Sequence, residues 1–490
     1  MQIIDKNNFK LPFKAFPGWA AGWGLLLLLM VHTGCKKLIE VDAPVTSTNA
    51  ANVYVSDATA TAVLTGIYAN ISNGSIGMAG ATFTGMSLLP ALSADELTIY
   101  NLSVSALLPP YYRNDLTKLT SNNFWGGIYS AIFAANSAIE GLNNSTGLTP
   151  LVKRQLLGEA SFIRAFSYFY LVNLYGDVPL VMTTDWKVNA RLARAPQSQV
   201  YQQIFNDLKD AQNLLSKDYL DATLLHTTTE RVRPTQWAAT ALLARAYLYT
   251  RQWDSAEAQA TAVIDHSALY SLDTLNGVFL KNSTEAIWQL QPVWNDVNSN
   301  TGEGALFILP PTGPDITNYP VYLSSNLLNS FETGDQRRSN WVDSVIAGGV
   351  TYDYAFKYKI GKVNTSVQEY SMILRLAEQY LIRAEARAQQ NNITGAQADL
   401  DMIRSRAGLP NTTAGDQTSL LAAIFHERQV ELFTEWGHRW LDLKRTNTID
   451  AVMNIVAPQK GGSWSPYKAW YPIPQAEINL DLHLVQNTGY

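Results

Sequence analysis

Apolar residues recur along this chain with the period of packed helices. Leu156, Ala160, Ile163, Ser167, Tyr170 and Leu174 follow one another at three- and four-residue steps, and so do Ile373, Ala377, Tyr380, Ala384 and Ala388. At 3.6 residues per turn, such steps place every member on one helix face, which must pack against a neighbour. Further helices are predicted at 58–71, 122–142 and 420–446. A polar stretch at 36–57, with Pro44 and a Thr/Ser/Asn cluster, predicts a tether. Residues 72–108 are rich in Gly, Ser and apolar residues and predict short strands and loops.

A four-residue signature repeats within the helices: Phe162-Ile163-Arg164-Ala165, Leu243-Ala244-Arg245-Ala246 and Leu381-Ile382-Arg383-Ala384. Self-similar helices predict a helical repeat, and the middle copy has tetratricopeptide spacing. It sets Leu243, Ala244 and Tyr247 on one helix against Ala256, Ala260 and Val263 on the next, where small residues allow close approach. The third copy has its second helix at Ala396 to Arg406, closed by Gly408 and Pro410. The copies start 81 and 138 residues apart, whereas a regular array repeats at roughly 34. Insertions must therefore separate them. The largest, at about 267–369, carries Trp288, Trp294, Tyr319, Tyr322, Trp341, Tyr352 and Tyr354 among Gly, Pro, Asn and Asp. A long irregular segment on a rigid frame is a usual place for binding.

The start of the chain changes the picture. Lys6, Lys10 and Lys14 precede an apolar core at Leu25 to Val31, then Thr33-Gly34 and Cys35, the only cysteine. This reads as an export signal at 1–34, and a cysteine at that point resembles a lipobox, although His32 stands where Leu is usual. Cys35 is then the lipidated first residue of the mature chain. A lone thiol can build neither a disulfide nor a multi-thiolate metal site within one chain. Removing 1–34 takes three Lys and Asp5 from 36 basic and 41 acidic residues, leaving a formal charge of −7. With only short basic runs such as Lys36-Lys37 and Arg337-Arg338, that balance argues against a polyanion-binding stripe, so no nucleic-acid partner is expected.

Catalytic motifs are sparse. No H-E-x-x-H, G-x-S-x-G, P-loop or dinucleotide fingerprint occurs. Glu435-x-x-His438 is half of a di-iron motif without its facing half. Asp95-Glu96 invites a glycosidase reading, but adjacent residues on an extended chain point to opposite faces. Glu427, Glu431 and Glu435 form one stripe of a helix, which favours pairing with basic residues of a neighbour over acid-base chemistry.

In order and spacing the segments resemble the SusD/RagB family over essentially the whole mature chain. They are Cys-Lys-Lys-Leu-Ile-Glu at 35–40, Phe124-Trp125 through Ala135-Asn136, Gly158-Glu159-Ala160 through Arg164-Ala165-Phe166, and Tyr175-Gly176-Asp177-Val178-Pro179. They continue with Leu374-Arg375-Leu376-Ala377-Glu378 and Arg383-Ala384-Glu385, Glu427-Arg428 through Glu435-Trp436-Gly437-His438-Arg439-Trp440, Tyr471-Pro472-Ile473-Pro474, and Gln486-Asn487-Thr488-Gly489-Tyr490. Thr488 replaces the Pro usual in that ending.

The resemblance implies a mainly α fold: a tetratricopeptide-like helical-hairpin scaffold with irregular loop and short-strand insertions. It implies an N-terminal part at 35–235 and a C-terminal part at 236–490 of one globular unit. It further implies lipid attachment to the outer membrane, facing outward, and a SusC-like TonB-dependent transporter as partner, to which captured oligosaccharides or polysaccharides are delivered without catalysis. No metal or other cofactor is expected. A peptide-binding, RagB-like lipoprotein and, less favoured, an exported glycoside hydrolase or a pure scaffold are the alternatives.

Family scaffold motifs carry over no ligand contacts, so the candidates come from chemistry. Sugar rings stack on aromatic faces and their hydroxyls need polar partners. Tyr100, Tyr111 and Tyr112, with Trp294, Tyr319, Tyr322 and Trp341, are the candidate platforms, and Asn101, Asn295 and Asp296 the hydrogen bonders.

Overall fold

A computed structural model describes residues 53–490, apart from 75, 80–84, 104, 120–122 and 294–298. Helices α1 (Asp57–Ser72) and α2 (Leu89–Ser93) lead to strand β1 (Leu97–Ile99) and α3 (Leu108–Tyr112). The helical frame begins with α4 (Asn123–Asn144), α5 (Pro150–Tyr175) and α6 (Gln197–Leu214), then the hairpin α7 (Gln236–Tyr249) and α8 (Trp253–Ile264). The insertion holds β2 (Ala286–Leu290), β3 (Val321–Leu323), α9 (Gln336–Asn340), β4 (Val342–Ala347) and β5 (Val350–Ala355). After β6 (Ser371–Arg375) come the hairpin α10 (Leu376–Gln389) and α11 (Ile393–Arg406), and then α12 (Gln417–Leu432), α13 (His438–Arg445) and α14 (Ile449–Gln459). The fold is mainly α, with short two-stranded sheets. Among the described residues no helix is long and apolar enough to cross a membrane.

Local chemistry sets the helix ends. Ser56 caps α1 by accepting from the Thr59 N–H, and Pro150, whose missing N–H costs nothing in a first turn, opens α5. Gly176, at φ +79°, closes α5 in a conformation that a Cβ disfavours. From Phe162 to Val172 every side chain of α5 is buried, so this helix is the axis of the core rather than an amphipathic surface helix. Trp288 meets Tyr68, Phe162 and Phe166 edge-on there, and Trp436 meets Phe166.

The repeated signature acquires a physical role in the frame. Its arginine is buried in each copy and reaches a carboxylate on another helix: Arg164 to Asp207 of α6, Arg245 to Glu378 of α10, and Arg383 to Asp399 of α11, at 2.6–2.7 Å. The small residues beside it bring the helices close enough for that reach.

Two expectations are corrected. Ile373 lies on β6, paired with β2, because the chain becomes helical only after Arg375. The segment 420–446 is two helices rather than one. Thr434, Trp436 and Gly437 all take positive φ at the break, which turns Trp436 inward to Phe166 and Tyr170 while Glu435 meets Arg375 and Lys357.

Candidate ligand-binding surface

β1 and β3 pair antiparallel with Thr98 opposite Tyr322. Strand alternation buries Leu97, Ile99, Val321 and Leu323 and leaves Thr98 and Tyr322 half-buried on the outer face. The Tyr100 N–H donates to the Pro320 carbonyl at 2.8 Å, extending the ladder and bringing Tyr100 out on the side of Thr98. Tyr352 of β5 completes the group. Its ring centre is 5.2 Å from that of Tyr322 and 5.9 Å from that of Tyr100, with the planes near perpendicular at 78° and 75°.

Tyr112 joins from α3, half-buried, with its phenol bonded to Thr98 and Tyr322 close by. Burial raises its pKa first, and Tyr322 adds to the effect. Tyr322 is raised by burial and then by Tyr352. Both phenols therefore stay neutral hydroxyls at physiological pH. Behind Tyr112 the Lys460 ammonium, 5.3 Å from the ring centre, donates to the carbonyls of Leu92, Ser93 and Ala94 at 2.8, 3.1 and 2.8 Å. It thereby fixes the end of α2 from which β1 departs.

Edge-to-face contacts hold these rings in place while leaving area exposed, so a flat ligand meets a surface that needs little ordering. Tyr100, at 42 % exposure, is the most open. Asn101 follows it, exposed, with Oδ1 accepting from the Ser103 N–H. Tyr319 is half-buried on a loop whose turn is tied by Asp315 to the N–H groups of Thr317 and Asn318, and Lys362 lies 5.1 Å over its ring.

Tyr111 and Trp341 are not platforms. Both are fully buried. Tyr111 packs edge-on against Tyr471, since α3 turns it away from Tyr112. Trp341 donates from Nε1 to the Leu275 carbonyl at 2.7 Å, and Lys357, Arg406 and Arg375 surround its ring at 4.8, 5.7 and 6.0 Å. Trp294, Asn295, Asp296 and Cys35 lie outside the described residues. Tyr352 was not among the candidates. Its signal was present: Gly348-Gly349, both at positive φ, make the tight turn of a hairpin whose second strand starts Val350-Thr351-Tyr352.

The ionisable motifs resolve into structure. Asp95 takes both contacts of Arg439 at 2.8 Å. Glu96 is only 1 % exposed, so these two carboxyls do not face each other across an open cleft. Glu435 is committed to Arg375 and Lys357, and His438 is buried, its pKa held well below the usual value by burial and then by Arg245.

Glu96 supplies a pH test. Burial first, and the neighbouring Asp95 second, push it up to about 8 from 4.5. The folded state therefore keeps a proton that the unfolded chain releases above about pH 4.5. Stability from this group is full below that pH and is lost progressively as pH rises toward 8. Glu96→Gln should gain melting temperature relative to wild type across pH 4.5 to 8 and then level off. A difference independent of pH would contradict this.

The described residues thus form a helical-hairpin frame that presents a partly exposed group of tyrosine rings. Two family models match the chain, one described as starch-binding associating with outer membrane over residues 93–248 and the other as the SusD family over residues 345–490. A SusD-like protein of Formosa agariphila is 23 % identical, covering 95 % of this chain and 98 % of its own. Two solved structures share the fold. One, a laminarin-binding SusD-like protein, has a TM-score of 0.70 at 22 % identity over 88 % of this chain and 99 % of its own. The other, surface glycan-binding protein A from Bacteroides uniformis, has a TM-score of 0.72 at 18 % identity over the same shares. The chain belongs to the SusD/RagB family.

Proposed function

We propose that this protein is a cell-surface glycan-binding lipoprotein without catalytic activity. It captures oligosaccharides on the tyrosine patch and delivers them to a SusC-like TonB-dependent transporter, held at the outer membrane by lipid on Cys35. The observation that carries this reading is the convergence of Tyr100, Tyr112, Tyr322 and Tyr352 from four separate elements into one partly exposed group. Core packing alone would bury such rings, and here neighbouring rings brace them with area left over. The names of the two glycan-binding relatives and the outer-membrane description of the first family model support the same reading.

Native electrophoresis through gels containing laminarin, starch or galactomannan tests it. The mature protein should be retarded in at least one. Free migration in all three would refute the reading, and steady release of reducing ends from the retarding polysaccharide would overturn its non-catalytic part.

A further inference from the structure

A second hollow, of about 400 Å³, lies between α1, the segment 220–233 and the chain leaving β2. It shares no residue with the tyrosine patch. Tyr68, Val232 and Leu290 supply apolar wall, and Asp221, Glu230 and Arg233 supply charge. Its size falls in the range of small-ligand sites, roughly 300–1,000 Å³.

The wall is built rigidly. Glu230 and Val232 line the hollow, while Arg231 between them turns into the core. There it donates to the carbonyls of Ala286 and Leu269 at 2.6 and 2.9 Å, with its guanidinium over Tyr219 and Tyr270. Arg233 ties the same wall to Glu159 of α5 at 2.8 Å and to Thr65 of α1 at 2.7 Å. On the remaining side, the Ser72 hydroxyl donates to the Gln291 carbonyl at 2.6 Å. A site fixed in this way binds without the cost of ordering its loops.

Its free polar capacity is of one kind. Arg233 is already engaged, whereas the Glu230 carboxyl takes the Tyr370 hydroxyl and keeps further acceptor capacity. The Thr223 hydroxyl, foremost, holds the Asp221 carboxyl below its usual range, so it is ionised and accepting. Apolar walls with carboxylate acceptors suit a ring that has C–H faces and hydroxyl edges.

We infer that this hollow is a second sugar site, taking one terminal ring or a short end of a glycan apart from the tyrosine patch. The choice of sugar rests on the glycan-binding reading above.

The test is saturation-transfer NMR on the full mature protein carrying Tyr322→Ala and Tyr352→Ala. The probe is a mixture of the methyl glycosides of glucose, galactose, mannose and xylose. Signal from at least one glycoside should survive loss of the patch. Adding Glu230→Gln, which conserves volume but removes the charged acceptor, should weaken that signal several-fold, and Ala69→Trp, which fills the hollow from α1, should abolish it. Absence of signal, or signal unchanged by Glu230→Gln, would overturn the second site whether or not Ala69→Trp folds. Polysaccharide retardation of the wild type with no glycoside signal would sink this inference alone. Glycoside signal without any retardation would sink the glycan-capture reading instead.

Discussion

Arg375→Met should lower the unfolding free energy by about 3–5 kcal/mol, the cost of removing one partner from a buried charge pair. Arg375 is 2 % exposed and donates to Glu285 at 2.9 Å, to Glu431 at 2.5 Å and to both oxygens of Glu435 at 2.8 and 2.9 Å. Around it Arg337 meets Asp335, Glu427 and Glu431, Arg404 meets Glu427, Arg406 meets Glu285 and Glu431, and Lys357 meets Glu435. Five cations thus face five carboxylates, with Glu332 at the rim on Arg404. Burial alone would raise Glu431, but Arg406, Arg375 and Arg337 outweigh it and hold its carboxyl well below the usual range.

Methionine fills the volume of Arg375 but leaves Glu285, Glu431 and Glu435 with excess buried charge. The sign of the pH effect follows. In the wild type the depressed carboxyl contributes stability at neutral pH that is lost as pH falls; in the variant the stranded carboxyls relieve themselves by taking up protons. Urea melts at pH 7.5 and pH 5 should therefore show a deficit that narrows in acid. A deficit under 1 kcal/mol, or one that widens in acid, would mean the cluster does not hold the frame together.

Tyr322→Ala combined with Tyr352→Ala should weaken glycan binding about a hundredfold, read as roughly tenfold, or 1.4 kcal/mol, per ring. Each ring also braces the other, so the loss should exceed that of either substitution alone. Both side chains are only half-buried on short strands, and the melting temperature should fall little. Calorimetry with the polysaccharide that retards the wild type, together with a thermal melt, separates the outcomes. Unchanged affinity removes the patch from the binding site, and a large drop in melting temperature marks the rings as packing residues.

Much of the frame was legible because its information is local. The steps along Leu156 to Leu174, the small residues of the 243–263 hairpin and the Gly408 and Pro410 stop each act within a few residues. The expected pairing of Glu427, Glu431 and Glu435 with basic residues also holds, Arg337, Arg375, Arg404, Arg406 and Lys357 supplying the cations, although Glu435 lies past the end of α12 and reaches them from the break. The patch was only partly legible. Composition drew attention to the right segments but could not say which ring faces out. Tyr111 and Tyr112 are neighbours with opposite fates, decided by the turn of a five-residue helix. Trp341 looked like a loop aromatic, and the charge cluster claimed it from the other side. The Gly348-Gly349 turn marked the hairpin that carries Tyr352, but its ring contact with Tyr322 of a separate sheet is one that no short-range pattern records.

The pairing of β1 with β3 joins positions more than two hundred residues apart through three-residue strands. Closing so long a loop has a large entropic cost that so short a ladder cannot offset by itself, so the helices must come together first and hold the ends near. An emerging or truncated polypeptide that stops short of Tyr322 would build hairpins yet leave the tyrosine patch unassembled. The same stretch carries Glu285, Asp335, Arg337 and Lys357 into the buried charge cluster, so the segment that brings Tyr322 and Tyr352 to the surface is riveted to the frame by the ions at its base.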